Sequence, residues 1–154
     1  GTLAAAGHVS MQALSDLLKD PYFEKSAPKS LDRNHFSRHV TDLLENLSLA
    51  DGASTLTTFT VESIRRALAI VPQAPKQILV CGGGRKNGTL MATLQNKVSM
   101  PVKPVETVGW SGDAIEAQLV AFLAVRSFYR LPLSFPTTTG VSAPTTGGRF
   151  FSAN

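Results

Sequence analysis

The residue types best suited to chemistry cluster in one stretch, Ile78-Leu79-Val80-Cys81-Gly82-Gly83-Gly84-Arg85-Lys86-Asn87-Gly88-Thr89-Leu90-Met91. A short apolar run leads into three glycines, a polar turn and an apolar-periodic segment, the pattern of strand, tight loop and helix start. Adjacent glycines pack nothing and cost backbone entropy, so they mark a place where the backbone passes close to something. A phosphate cradle of the G-x-x-x-x-G-K-[ST] type fits the spacing of Gly83 and Gly88, but Thr89 stands where the lysine belongs. A dinucleotide fingerprint is present only in a loose form, Gly82, Gly84 and Gly88, with Glu106 near the end of the following strand. A purine site is the third reading: glycines let an adenine or ribose lie flat, and Asn87 with the helix N-terminus can hydrogen-bond it. A plain strand-to-helix turn is the fourth, and spacing alone leaves nucleotide and turn evenly matched.

Glu116 is the second candidate. The helix predicted over Asp113 to Tyr129 is apolar nearly all round, which predicts burial. A carboxylate with Leu119 and Val120 as neighbours must then reach the helix end, pair, or bind a polar group of a ligand. The plainer alternative is a first-turn acid favoured by the helix dipole, with Asp113 doing the same. His35 and His39 have metal-gripping i, i+4 spacing, yet no third ligand is near, so an exposed helix face is expected and no metal is assigned. Lys29, Ser30 and Arg33 could hold an anion, although surface charge is the safer reading. Cys81, the only cysteine, reads as a small buried residue and excludes an internal disulfide, which fits a reducing, cytoplasmic setting.

Around these residues the punctuation predicts helices over Ala4–Lys19, Arg33–Asn46 (capped by Asp32), Ala53–Leu68 (after a break at Asp51-Gly52, capped by Asp51 with Ser54; its threonines make a strand over Leu56–Val61 the alternative to the preferred helix) and from Asn87 to Val98, then Asp113–Tyr129 capped by Ser111. Strands are predicted at Gln77–Cys81, buried on both faces as in a parallel sheet, and at Val102–Val108, where Pro101 and Pro104 suggest an edge or a bulge. Residues 131–154 form a Pro/Thr/Gly-rich tail expected to be irregular. The net charge of +4 is scattered, with no basic groove for nucleic acid, and no apolar run is long enough to cross a bilayer. Five helices against two strands leave too little sheet, so the α/β domain is expected to be completed by chain outside this sequence.

At the glycine loop, LVCGGGRKNGTLM resembles the adenosine motif of the actin-like kinase superfamily. The flanking segments AAAGHV, PYFEKSAPKSLDRNHF, STLTTFTVESI, VETVGWSGDAIEAQLVAFLAVRSF and LPLSFPTTTGV resemble the C-terminal half of anhydro-N-acetylmuramic acid kinases. The resemblance covers nearly all of residues 1–154 in one order. It implies a ribonuclease-H-like lobe of a two-lobed sugar kinase, with the first strands of its sheet missing here. It further implies ATP and Mg2+ as cofactors, an anhydro-amino-sugar substrate, the N-terminal half of the same protein as partner, and room for a homodimer. The implied reaction opens the 1,6-anhydro ring with water and phosphorylates O6. Gly82, Gly83, Gly84 and Asn87 match the nucleotide motif, and Glu116 matches an acid expected to face the sugar. The family's phosphate loop and its catalytic aspartate have no counterpart in this sequence, so no catalytic residue is expected in it. Ala27, Asp32 and Asn34 depart from the family pattern around the Lys29 to Arg33 loop.

Overall fold

The computed structural model describes residues 1–32 and 34–152. Among them are seven helices: α1 (Thr2–Ala6), α2 (Met11–Leu18), α3 (Ser37–Leu44), α4 (Leu49–Leu68), α5 (Gly88–Lys97), α6 (Ile115–Phe128) and α7 (Pro136–Thr139). Two short strands, β1 (Ile78–Val80) and β2 (Val102–Pro104), pair in parallel with Ile78 opposite Val102 and Val80 opposite Pro104. The class is α/β, with α5 as the crossover between the two strands.

Helix α4 is the organising rod, packed against α1, α2 and α5. Its buried face carries Val61 and Thr55, both fully inaccessible, and meets Ala4, Ala13, Leu14, Leu17 and Leu94 in the core. Burying a side chain such as Leu17 contributes roughly 1.5–3 kcal/mol. The threonines that argue against a helix here are accommodated by back-bonding. The hydroxyls of Thr55, Thr57 and Thr60 donate to the carbonyls of Asp51, Ala53 and Leu56 at 2.7, 2.8 and 2.9 Å.

Several expected boundaries move. The predicted helix from Ala4 to Lys19 is two helices, because Gly7 presses onto α4: a Cβ there would overlap the Ala50 carbonyl. Ser10 then caps α2, accepting from the Ala13 N–H at 3.3 Å, while its own N–H donates to Thr55 Oγ1 at 2.9 Å. Helix α4 begins at Leu49, not Ala53, because Ser48 is the cap and accepts from the Asp51 N–H at 3.1 Å. Asp51 and Gly52 lie inside its first turns rather than breaking the chain. Helix α3 starts at Ser37; Asp32 instead makes a local turn with the Asn34 N–H at 2.8 Å. Phe36 packs edge-on to Phe59 at 5.1 Å and stacks near Phe23 at 6.2 Å, tying α3 to α4. Strand β2 ends at Pro104, where the chain turns into a 3-10 turn at Val105–Val108.

Two larger corrections concern burial. Strand β1 is half-buried rather than enclosed, since β2 is its only sheet neighbour among the described residues. Helix α6 has no buried residue: Leu119, Val120, Phe122, Val125 and Phe128 are 55–65% exposed. It starts at Ile115 without a side-chain cap, so Ser111 does not serve as one. The tail is more ordered than expected, with α7 and an antiparallel bridge between Ser134 and Thr145.

Candidate functional site

The glycine loop leaves the C-terminal end of β1, the end of parallel strands where ligands of α/β sheets gather. Gly82 turns the chain with φ +66° and ψ −168°, a region essentially restricted to glycine. Residues Gly83–Lys86 follow as one 3-10 turn, and Asn87 caps α5 by accepting from the Leu90 N–H at 3.1 Å. Internal packing accounts for only part of this glycine content. A Cβ at Gly84 would touch Leu90 Cδ2 at 3.4 Å, but one at Gly83 would meet no atom within 4 Å. Gly83 has ordinary negative φ, so neither strain nor crowding inside the chain demands a glycine there. A flat group lying on the loop from outside would demand it.

The loop is braced from the other side. The Gly82 N–H donates to the Gly112 carbonyl at 3.2 Å, joining the glycine loop to the loop that precedes α6. Arg85 crosses the same junction with its side chain only 6% exposed. Its guanidinium donates to the Gly82 carbonyl at 2.7 Å and to Glu106 Oε1 at 2.7 Å, and pairs with Asp113 Oδ2 at 2.9 Å. Gly112 makes room for it, because a Cβ at that position would overlap the guanidinium. Lys86 holds Asp113 from the solvent side, donating to its two oxygens at 2.9 and 3.0 Å.

The ionisation states follow from these contacts. Hydrogen bonds from Arg85 and then Lys86 hold the Asp113 carboxyl down at about 2. Glu106 is also lowered, by its own backbone N–H and by Arg85, and the two acids raise Arg85 in return. Asp113, Glu106 and Arg85 are therefore all charged at neutral pH. The expected ribose acid of a dinucleotide site, Glu106, is therefore committed to Arg85 and to the Gly112 N–H at 3.2 Å.

Of the residues singled out from sequence, Gly82, Gly83, Gly84 and Asn87 share one loop, while Glu116 stands apart, exposed in the first turn of α6. Asp113, three residues earlier, and the Gly112 carbonyl join the segment before α6 to the loop. Cys81 is exposed rather than buried, because β1 has ended before it. Lys29 serves structure: its ammonium donates to the carbonyls of Tyr22 and Phe23 at 3.0 and 3.3 Å and lies over the Tyr22 ring. Arg33 lies outside the described residues. His35 bonds Asp20 at 2.8 Å, and no group of three metal-ligating side chains occurs among the described residues. The residues missed as a set are Arg85, Glu106, Gly112 and Asp113. Each was legible singly, as a basic pair, a strand-end acid, a loop glycine and a first-turn acid.

The donor set fits the adenosine part of a nucleotide better than its phosphates. A bare backbone surface suits a planar base, whereas the nearby cations Arg85 and Lys86 are already matched by Glu106 and Asp113. No acid cluster here suits Mg2+. A cavity of about 530 Å³ lies elsewhere, between α6 and the tail, walled mostly by apolar side chains such as Leu123, Phe128 and Phe150, with Ser127 and Arg149.

A family model described as anhydro-N-acetylmuramic acid kinase matches residues 1–153. A protein of that name from Acidiphilium cryptum is 53% identical over 149 residues, covering 97% of this chain and 41% of the relative. Its namesake from Rhodospirillum rubrum is 51% identical, covering 99% of this chain and 40% of the relative. One from Caulobacter vibrioides is 50% identical, with 97% and 39% covered. The chain thus spans about two-fifths of the length of these curated relatives.

Proposed function

The chain belongs to the anhydro-N-acetylmuramic acid kinase family, and we propose that it supplies the adenosine-binding part of an ATP-dependent sugar kinase. The observation that carries this reading is Gly83: a glycine that neither the fold nor its own φ requires, on a loop braced from behind by Arg85. The base would lie on Gly82, Gly83 and Gly84, with the side-chain NH2 of Asn87 at its edge.

In this reading the chain is the C-terminal part of a two-lobed, ribonuclease-H-like enzyme, and the rest of the protein brings the triphosphate cradle, the Mg2+ ligands and the catalytic base. That division suits a loop whose own cations are already paired. Mg2+ would neutralise the phosphates at that other end. The substrate is 1,6-anhydro-N-acetylmuramic acid, a product of peptidoglycan turnover. Water adds at C1, the C1–O6 bond breaks, and O6 takes the γ-phosphoryl group of ATP. N-acetylmuramic acid 6-phosphate and ADP are formed. Glu116 is assigned to the sugar side. An ATP-consuming step of this kind belongs in the cytoplasm, and no helix among the described residues is long and apolar enough to cross a membrane.

The test is turnover by the full-length protein in water labelled with heavy oxygen. The expected product is the 6-phosphorylated sugar carrying one labelled oxygen at C1 and an unlabelled phosphoryl group. Label appearing in free phosphate, with the sugar unchanged, would make the protein a simple ATPase and refute the assignment.

A further inference from the structure

Building on the kinase reading above, we propose that Arg85 is a positioning residue that locks the glycine loop to the start of α6, so that nucleotide and sugar bind cooperatively. Three features support this. The side chain is nearly buried yet satisfies acceptors on three separate segments: the Gly82 carbonyl, Glu106 after β2, and Asp113 before α6. Its planar fork presents donors in fixed directions to all three, whereas an ammonium is a compact point charge on a flexible stem. Gly112 has no side chain where one would displace that guanidinium.

The consequence is mechanical. A loop of consecutive glycines has many alternatives to its bound shape, and selecting one costs affinity unless something holds it. Arg85 holds it through the carbonyl of Gly82, the residue with φ +66°. The same guanidinium grips Asp113, and Glu116 lies in the first turn of α6, three residues on. A base settling on Gly82 and Gly83 therefore fixes the path of the chain into α6. A sugar held by Glu116 fixes the glycine loop by the same route. By linkage, each ligand tightens the other by an equal factor.

The experiment is calorimetric titration of ADP into the full-length protein, with and without saturating 1,6-anhydro-N-acetylmuramic acid. The wild-type protein should show at least about a fivefold gain in ADP affinity with sugar present. Arg85→Ala should weaken ADP binding by about tenfold and bring the sugar effect close to none, an outcome that mere loss of stability would not produce in the folded fraction. Arg85→Lys keeps the charge without the fork and should also lose most of the coupling; it carries the test where the alanine variant does not fold. Full coupling in a folded variant, or ADP binding without coupling in the wild-type protein, overturns the lock alone. Failure of the wild-type protein to bind ADP at all would instead remove the kinase reading, and the lock with it.

Discussion

Helices α4 and α6 differ in a direction opposite to their composition. Helix α4 carries four threonines and several charges, yet Val61 and Thr55 on it are fully buried. Helix α6 is apolar around most of its circumference and has no buried residue, with Val120 65% and Phe122 58% exposed. The hydrophobicity of a helix records the partners it has in the whole protein. Its burial in this chain records which of those partners lie within residues 1–154. For α4 the partners are present, as α1, α2 and α5. For α6 they are expected in the part of the protein that makes the relatives more than twice as long.

The sharpest way to break this contrast is to truncate one side chain packed beneath α4 and one on α6 in the full-length protein and measure urea unfolding. Leu17→Ala, beneath α4, should cost about 2–5 kcal/mol, the usual range for a fully buried leucine. Phe122→Ala should cost about 3–5 kcal/mol, despite its exposure here, if α6 is covered in the whole protein. A change within about 0.5 kcal/mol would mean that α6 is a true surface.

A smaller effect is expected at the junction of the two loops. Gly112→Ala should lower stability by about 1–3 kcal/mol, because the new methyl must push the Arg85 guanidinium from its acceptors. Unchanged unfolding would mean that Arg85 relocates without loss. Ser48→Ala removes the cap of α4 and should cost about 1 kcal/mol in the same assay. The smallest effect is on acid stability. Asp113 has a folded value of about 2, below its ordinary 3.8, so its contribution is complete above that ordinary value and disappears as pH falls towards 2. In Asp113→Asn, the fall in thermal midpoint across this acid window should be shallower than in the wild-type protein. The carboxylate is two-thirds exposed, so salt should diminish the difference.

Sequence made the local features legible and left the distant ones hidden. The strand–loop–helix unit at Ile78–Lys97 was readable because its signals are contiguous: an apolar triplet, three glycines and the Asn87 cap. The break at Gly7 was not, because its cause is the Ala50 backbone more than forty residues away. The start of α4 was misread because Asp51-Gly52 looks like a stop, whereas Ser48 three residues earlier was free to cap. The glycine loop was found, but its brace was not. Arg85 is 21 residues from Glu106, and no local rule joins a basic pair to a strand-end acid and a loop glycine. The exposure of α6 was hidden for a different reason: periodicity reports an apolar helix but not whether its cover lies in the same stretch of chain.

In the proposed kinase, an adenine nucleotide lies on the bare backbone at Gly83. Gly83→Val in the full-length protein tests it most directly, because the added side chain meets no atom of the chain within 4 Å of its Cβ. The thermal midpoint of the free protein should stay unchanged while ADP affinity, by calorimetry, falls by at least about tenfold, a loss of roughly 1.4 kcal/mol. ADP affinity equal to that of the wild-type protein would contradict it.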